Sequence, residues 1–163
     1  MKRAWCEAAG LDVIIEPRDA ANPVGSAMIC AEAIRSGKIL AITPDLAQER
    51  GEGTPVKLLN RTAYLPTGPA SLAMLCDAPF VPLFSRAEGS RQILYATEPL
   101  HVSNLPSAEG GRQEAVRRTM QAWADGFDRF VRATPQHWYL WADNRWARVF
   151  HGNEEYTWAK EES

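Results

Sequence analysis

Between residues 38 and 84 the chain reads KILAITPDLAQERGEGTPVKLLNRTAYLPTGPASLAMLCDAPFVPLF. Residues 38–43 are apolar on both faces, a pattern that predicts a central strand of a covered parallel sheet. That strand ends on Pro44-Asp45 and runs into a polar, glycine-containing stretch over residues 46–55, read as a mobile surface loop. Residues 56–59 are read as a short strand, and Thr67 as the cap of a buried helix from Gly68 to about Asp77. Residues 79–84 form a further strand whose internal Pro82 argues for an edge or a bulge. In an open α/β sheet, strand carboxyl ends and helix N-termini face the ligand crevice. Asp45, the loop after it and Thr67-Gly68-Pro69 are therefore expected to converge on one site.

Upstream, residues 12–16 read as a buried strand followed by Pro17-Arg18-Asp19. Asn22-Pro23 opens a helix carrying Val24, Ala27, Met28, Ala31 and Ile34 at helical spacing, and Gly37 ends it. Strand, helix and strand make one βαβ unit. Downstream, residues 87–90 turn the chain and residues 92–97 return as an antiparallel strand. A connector over residues 100–111 leads to the longest helix, residues 113–132, with Val116, Met120, Trp123, Phe127 and Phe130 on one stripe. An aromatic block follows Pro135, and a polar tail begins near Gly152. The fold class expected is α/β, a mixed and mostly parallel sheet flanked by helices, over residues 1–150 with a tail over 151–163.

At 163 residues the chain is expected to form one domain, burying roughly two thirds of its unfolded surface. With 45% hydrophobic and 23% charged residues and a formal charge of −2, it lacks the basic field that nucleic-acid binding needs. No apolar run reaches bilayer length and residues 1–12 have no signal-peptide core, so a cytoplasmic location is expected. Three cysteines without a CxxC pair indicate neither a disulfide framework nor a zinc site, and Cys30 and Cys76 read as core thiols. No cofactor motif is present: GxGxxG and Walker patterns are both missing.

Four pieces stand in order: Pro44-Asp45-Leu46-Ala47-Gln48; Leu65-Pro66-Thr67-Gly68-Pro69-Ala70-Ser71-Leu72-Ala73; the Ala78 to Pro82 strand; and a P-x-x-W-x-x-W-x-x-x-RW pattern from Pro135 to Trp146. Together they resemble the later part of the lipid A biosynthesis acyltransferases, the lauroyl and myristoyl transferases of the lysophospholipid acyltransferase superfamily. The resemblance implies an acyltransferase-like α/β domain. Such a domain moves a fatty acyl group from an acyl carrier protein or coenzyme A thioester to the hydroxyl of a phospholipid or lipid A-type acceptor. It also implies peripheral contact with the cytoplasmic face of the inner membrane.

The family's chemistry rests on a His-x-x-x-x-Asp/Glu motif, in which imidazole takes the hydroxyl proton and the carboxylate orients the ring. Here Pro106, Ala142 and Tyr156 occupy the motif's carboxylate position, five places after His101, His137 and His151, so no catalytic residue is assigned. The chain reads as a family domain incomplete at its N-terminus and inactive alone. The acceptor side can be carried over by resemblance. Arg18 matches the family's phosphate-binding arginine, for which a guanidinium fork is suited. Asp45, with Gln48, matches the acidic position of the third sequence block, and Val81-Pro82 matches the fourth, which shapes the acyl pocket.

Each assignment has a plainer reading. Arg18 also suits an exposed turn, and Asp45 an Asx-turn. Gly68-Pro69 suits a helix start, because Pro69 removes an amide donor. The aromatic block suits packing on the sheet as well as a membrane interface. The alternative function is a non-catalytic module that binds a lipid or a partner.

Overall fold

The computed structural model describes residues 8, 10, 23–49, 51–102 and 111–151. The chain divides into two compact units, residues 1–41 and 42–163. The expected strand at residues 12–16, Cys6, Arg18 and the tail from residue 152 lie outside the described residues.

In the first unit, helix α1 (Pro23–Arg35) begins on proline, whose fixed φ suits a first helical position. It ends as the sequence suggests. Gly37 adopts φ +84°, its N–H donates to the Ile34 carbonyl at 2.9 Å, and the Lys38 N–H reaches back to the Ala33 carbonyl at 3.0 Å. These are the two bonds of a Schellman cap, with Arg35 placed favourably in the last turn. The apolar stripe is only partly covered: Ala31 is buried and Ile34 half-buried, whereas Ala27 and Met28 are exposed.

Residues 38–43, expected as a central strand, form none. The backbone there takes no strand conformation among the described residues, and Ile39 is 98% exposed. An apolar run permits a strand, but a strand exists only through pairing. The expected mostly parallel sheet is corrected accordingly. Among the described residues the four strands form two separate antiparallel hairpins.

In the second unit, β1 (Thr54–Leu58) pairs with β2 (Arg61–Leu65), placing Val56 opposite Ala63. Thr54, Val56, Leu58, Ala63 and Leu65 point to the core, the alternation that a half-covered hairpin requires. Leu59 and Asn60 close the turn with φ +50° and +62°, a two-residue turn with both central residues left-handed. Asparagine tolerates this region; leucine does so at a cost, offset by a bond from the Leu59 N–H to Asp128 at 2.6 Å.

The polar loop before β1 is anchored rather than loose. Ala47 is buried, the Gln48 N–H donates to Tyr64 at 2.7 Å, and a Cβ on Gly53 would lie 2.5 Å from the Leu65 carbonyl oxygen. Helix α2 (Gly68–Leu75) starts where expected, but Thr67 makes no side-chain cap bond. Only Ala70 and Ala73 are buried in it, and Leu75 is exposed, so the helix is half-covered instead of enclosed. Cys30 and Cys76 are likewise half-buried and not core thiols.

Hairpin β3 (Leu83–Glu88) and β4 (Arg91–Ala96) turns through Gly89-Ser90, with a separate bridge between Phe80 and Leu100. Helix α3 (Gly111–Ala133) buries all five stripe residues. Phe84 of β3 stacks on Phe130 at 5.3 Å and Phe127 at 6.2 Å, while Gly126 leaves room for the Phe84 ring. Gln121 of the same helix accepts from the Lys57 N–H at 2.8 Å and donates to the Lys57 carbonyl at 3.0 Å, covering the outer edge of β1 as a neighbouring strand would. Two short 3₁₀ turns (Pro135–His137 and Tyr139–Ala142) lead into helix α4 (Asn144–His151), which the sequence reading did not anticipate. Among the described residues no helix is long and apolar enough to cross a membrane.

Candidate functional site

The aromatic block packs into the core by its first and third tryptophans. Trp138 and Trp146 are buried, whereas Trp141 is 43% and Tyr139 77% exposed. Trp138 is the hub: Phe127, Trp141 and Trp146 meet it edge-on, with ring centroids 5.4, 4.7 and 4.9 Å away. Phe150 of α4 stacks on Trp146 at 5.8 Å. Trp138 thus meets the α3 stripe at Phe127, and the short helix packs Trp146 and Phe150 onto Trp138.

A buried indole N–H needs an acceptor. Both find it on the same residue. Trp138 Nε1 donates to Asp45 Oδ2 at 3.2 Å, and Trp146 Nε1 donates to the Asp45 carbonyl oxygen at 2.8 Å. Asp45 is half-buried, and its neighbour Pro44 is buried. The exposed Trp141 turns its own N–H inward to the Pro135 carbonyl at 2.6 Å.

Arg145 sets the local electrostatics. Its guanidinium holds Asp143 through Nε at 2.9 Å and Nη2 at 2.8 Å, and its backbone N–H adds a third bond to the same carboxylate at 2.9 Å. This pairing pulls Asp143 below the ordinary aspartate range and raises Arg145, to which the nearby Asp45 charge adds a smaller upward push. Asp45 therefore stands among two indole donors and the field of a guanidinium committed elsewhere.

Of the five residues singled out by sequence, Asp45 and Gln48 share one loop. Gln48 Nε2 donates to the Leu46 carbonyl at 3.0 Å, so its amide braces the turn. Val81 is exposed, and Pro82 is buried with its carbonyl accepting from the Thr97 N–H at 3.0 Å. Among the described residues no hydrogen bond or ion pair joins Val81 or Pro82 to Asp45 or Gln48, and Arg18 is outside them. From the sequence, Trp138 and Trp146 suit either packing on the sheet or a membrane interface, and neither reading ties them to Asp45. Their indole bonds to Asp45 span 93 and 101 residues and leave no local signal.

The histidines carry no carboxylate partner among the described residues. His137 Nδ1 accepts from the Ala87 N–H at 3.4 Å and its Nε2 lies 3.3 Å from the Gln136 amide, while His101 and His151 are exposed. No cluster of three His, Cys, Asp or Glu side chains suited to a metal is found among those residues. Asp45 supplies acceptor oxygens, one of them oriented by Trp138, and so is equipped to hold a hydroxyl or ammonium donor.

A family model described as bacterial lipid A biosynthesis acyltransferase matches residues 19–148. A search of the curated proteins gave no match.

Proposed function

From the membership of this chain in the bacterial lipid A biosynthesis acyltransferases, a family matched over residues 19–148, we propose that it handles a fatty-acyl thioester and a lipid A-type or phospholipid hydroxyl acceptor. Asp45 and Gln48 lie on the acceptor side, Arg18 binds an acceptor phosphate, and Val81-Pro82 border the acyl chain. The donor is an acyl carrier protein or coenzyme A thioester. This role falls to one acyltransferase-like domain over residues 1–150.

One observation carries this reading. Two motifs that resemble the family's, PD-x-x-Q at Pro44 and P-x-x-W-x-x-W-x-x-x-RW at Pro135, meet through the Trp138 and Trp146 bonds to Asp45. The chain lacks a His-x-x-x-x-Asp/Glu pair, and without a base to take the acceptor proton it does not transfer acyl groups alone. Purified protein incubated with an acyl carrier protein thioester and a lipid A precursor should bind the acceptor and leave the thioester intact. Robust transfer would show that another group serves as the base.

A second reading, a lipid- or partner-binding module on the cytoplasmic face of the inner membrane, is favoured by exposed Tyr139 and Trp141, ring types suited to a headgroup layer. Flotation with vesicles of anionic phospholipid tests it. Protein left in the bottom fraction would remove this reading.

A further inference from the structure

We infer that Trp138 and Trp146 are positioning residues for Asp45, which makes the C-terminal aromatic segment a working part of the acceptor site as well as core packing. The inference rests on the reading above that Asp45 faces the acceptor. Three features of the contact carry it. The two donors divide the residue between them: Trp146 fixes the backbone carbonyl at 2.8 Å, and Trp138 fixes one carboxylate oxygen at 3.2 Å. Both donors are held by packing: Trp146 is fully buried, and Trp138 is wedged edge-on among Phe127, Trp141 and Trp146. The nearby guanidinium of Arg145 is held by Asp143 at two points, so it supplies a field to Asp45 without closing onto it.

A carboxylate on a loop samples several rotamers, and binding a ligand in one of them costs conformational entropy. With its carbonyl pinned and Oδ2 taken by an indole, Asp45 is confined before any ligand arrives. Oδ1 has no partner among the described residues and is left to accept from an acceptor hydroxyl. If the indoles served packing alone, any acceptor for their N–H groups would suffice. Here both converge on the one residue that the PD-x-x-Q pattern singles out.

The test uses the whole chain with ¹⁵N-labelled indoles. In Asp45→Asn, which keeps the side-chain shape, the Trp138 indole proton should move upfield as its charged acceptor is lost, while the Trp146 indole, bonded to a backbone carbonyl, stays in place. Affinity for a lipid A precursor in detergent micelles should fall about tenfold in Trp138→Phe and in Asp45→Ala, with no further loss in the double variant. If Trp138→Phe fails to fold, the affinity of Asp45→Asn takes its place. An unmoved Trp138 resonance, or a folded Trp138→Phe that binds like the parent, overturns the positioning role and leaves the acceptor reading intact. A shifted Trp138 resonance with normal binding by Asp45→Ala keeps the indole bond but sinks the acceptor reading, and the positioning role with it.

Discussion

The two hairpins of the second unit have similar lengths and opposite surroundings. Hairpin β1–β2 is covered on one face and along one edge: its inner residues are buried, Gln121 occupies its outer edge, and Asp128 caps its turn. Hairpin β3–β4 packs Phe84 inward, yet Leu83 and Leu94 on its other face are 57% and 64% exposed. The difference lies in what α3 offers each hairpin. Side-chain amides and carboxylates reach the backbone of the first, whereas aromatic rings reach only one face of the second. Apolar residues in a strand therefore do not by themselves report burial. The face supplied by the neighbouring helix decides it.

Substitutions can break this contrast. Leu65→Ala in the covered hairpin should cost about 3 kcal/mol in urea unfolding, because a fully buried leucine leaves a cavity. Gly53→Ala should cost about 2 kcal/mol, since the new Cβ must push the β2 backbone away from 2.5 Å. A smaller loss, about 1 kcal/mol, is expected for Gln121→Ala, which removes both bonds to Lys57. Deuterium exchange at the Lys57 amide should quicken in the same variant.

Acid sharpens the contrast at the β1–β2 turn. The Arg132 bond holds Asp128 below its ordinary range, against a burial effect of opposite sign, and the Leu59 N–H adds to the lowering. A depressed folded pKa gives stability that is present above the unfolded value and lost as pH falls through the folded one. The difference between parent and Asp128→Asn should thus be open at neutral pH and close below about pH 4 in urea titrations. On the open hairpin, Leu94→Thr should change stability by less than about 0.5 kcal/mol.

Legibility followed the same physics. The α3 stripe was readable because five apolar residues at helical intervals have one way to be buried together. Gly37 announced its cap because a left-handed residue closes the helix. The β1–β2 hairpin was half seen, since Leu59-Asn60 lacks the glycine that usually marks such a turn. Residues 38–43 misled because pairing is a property of two segments and cannot be read from one. At the candidate site, PD-x-x-Q pointed to Asp45, but its two indole donors were invisible until the chain was folded.

The exposed isoleucines of residues 39–43 also bear on how the protein behaves in concentrated solution. Free of proline and carrying Ile39 almost wholly in water, this run presents apolar surface that another copy can meet. Because the net charge is only −2, a lysine in place of Ile39 is expected to act as a gatekeeper and raise the concentration the protein tolerates before precipitating.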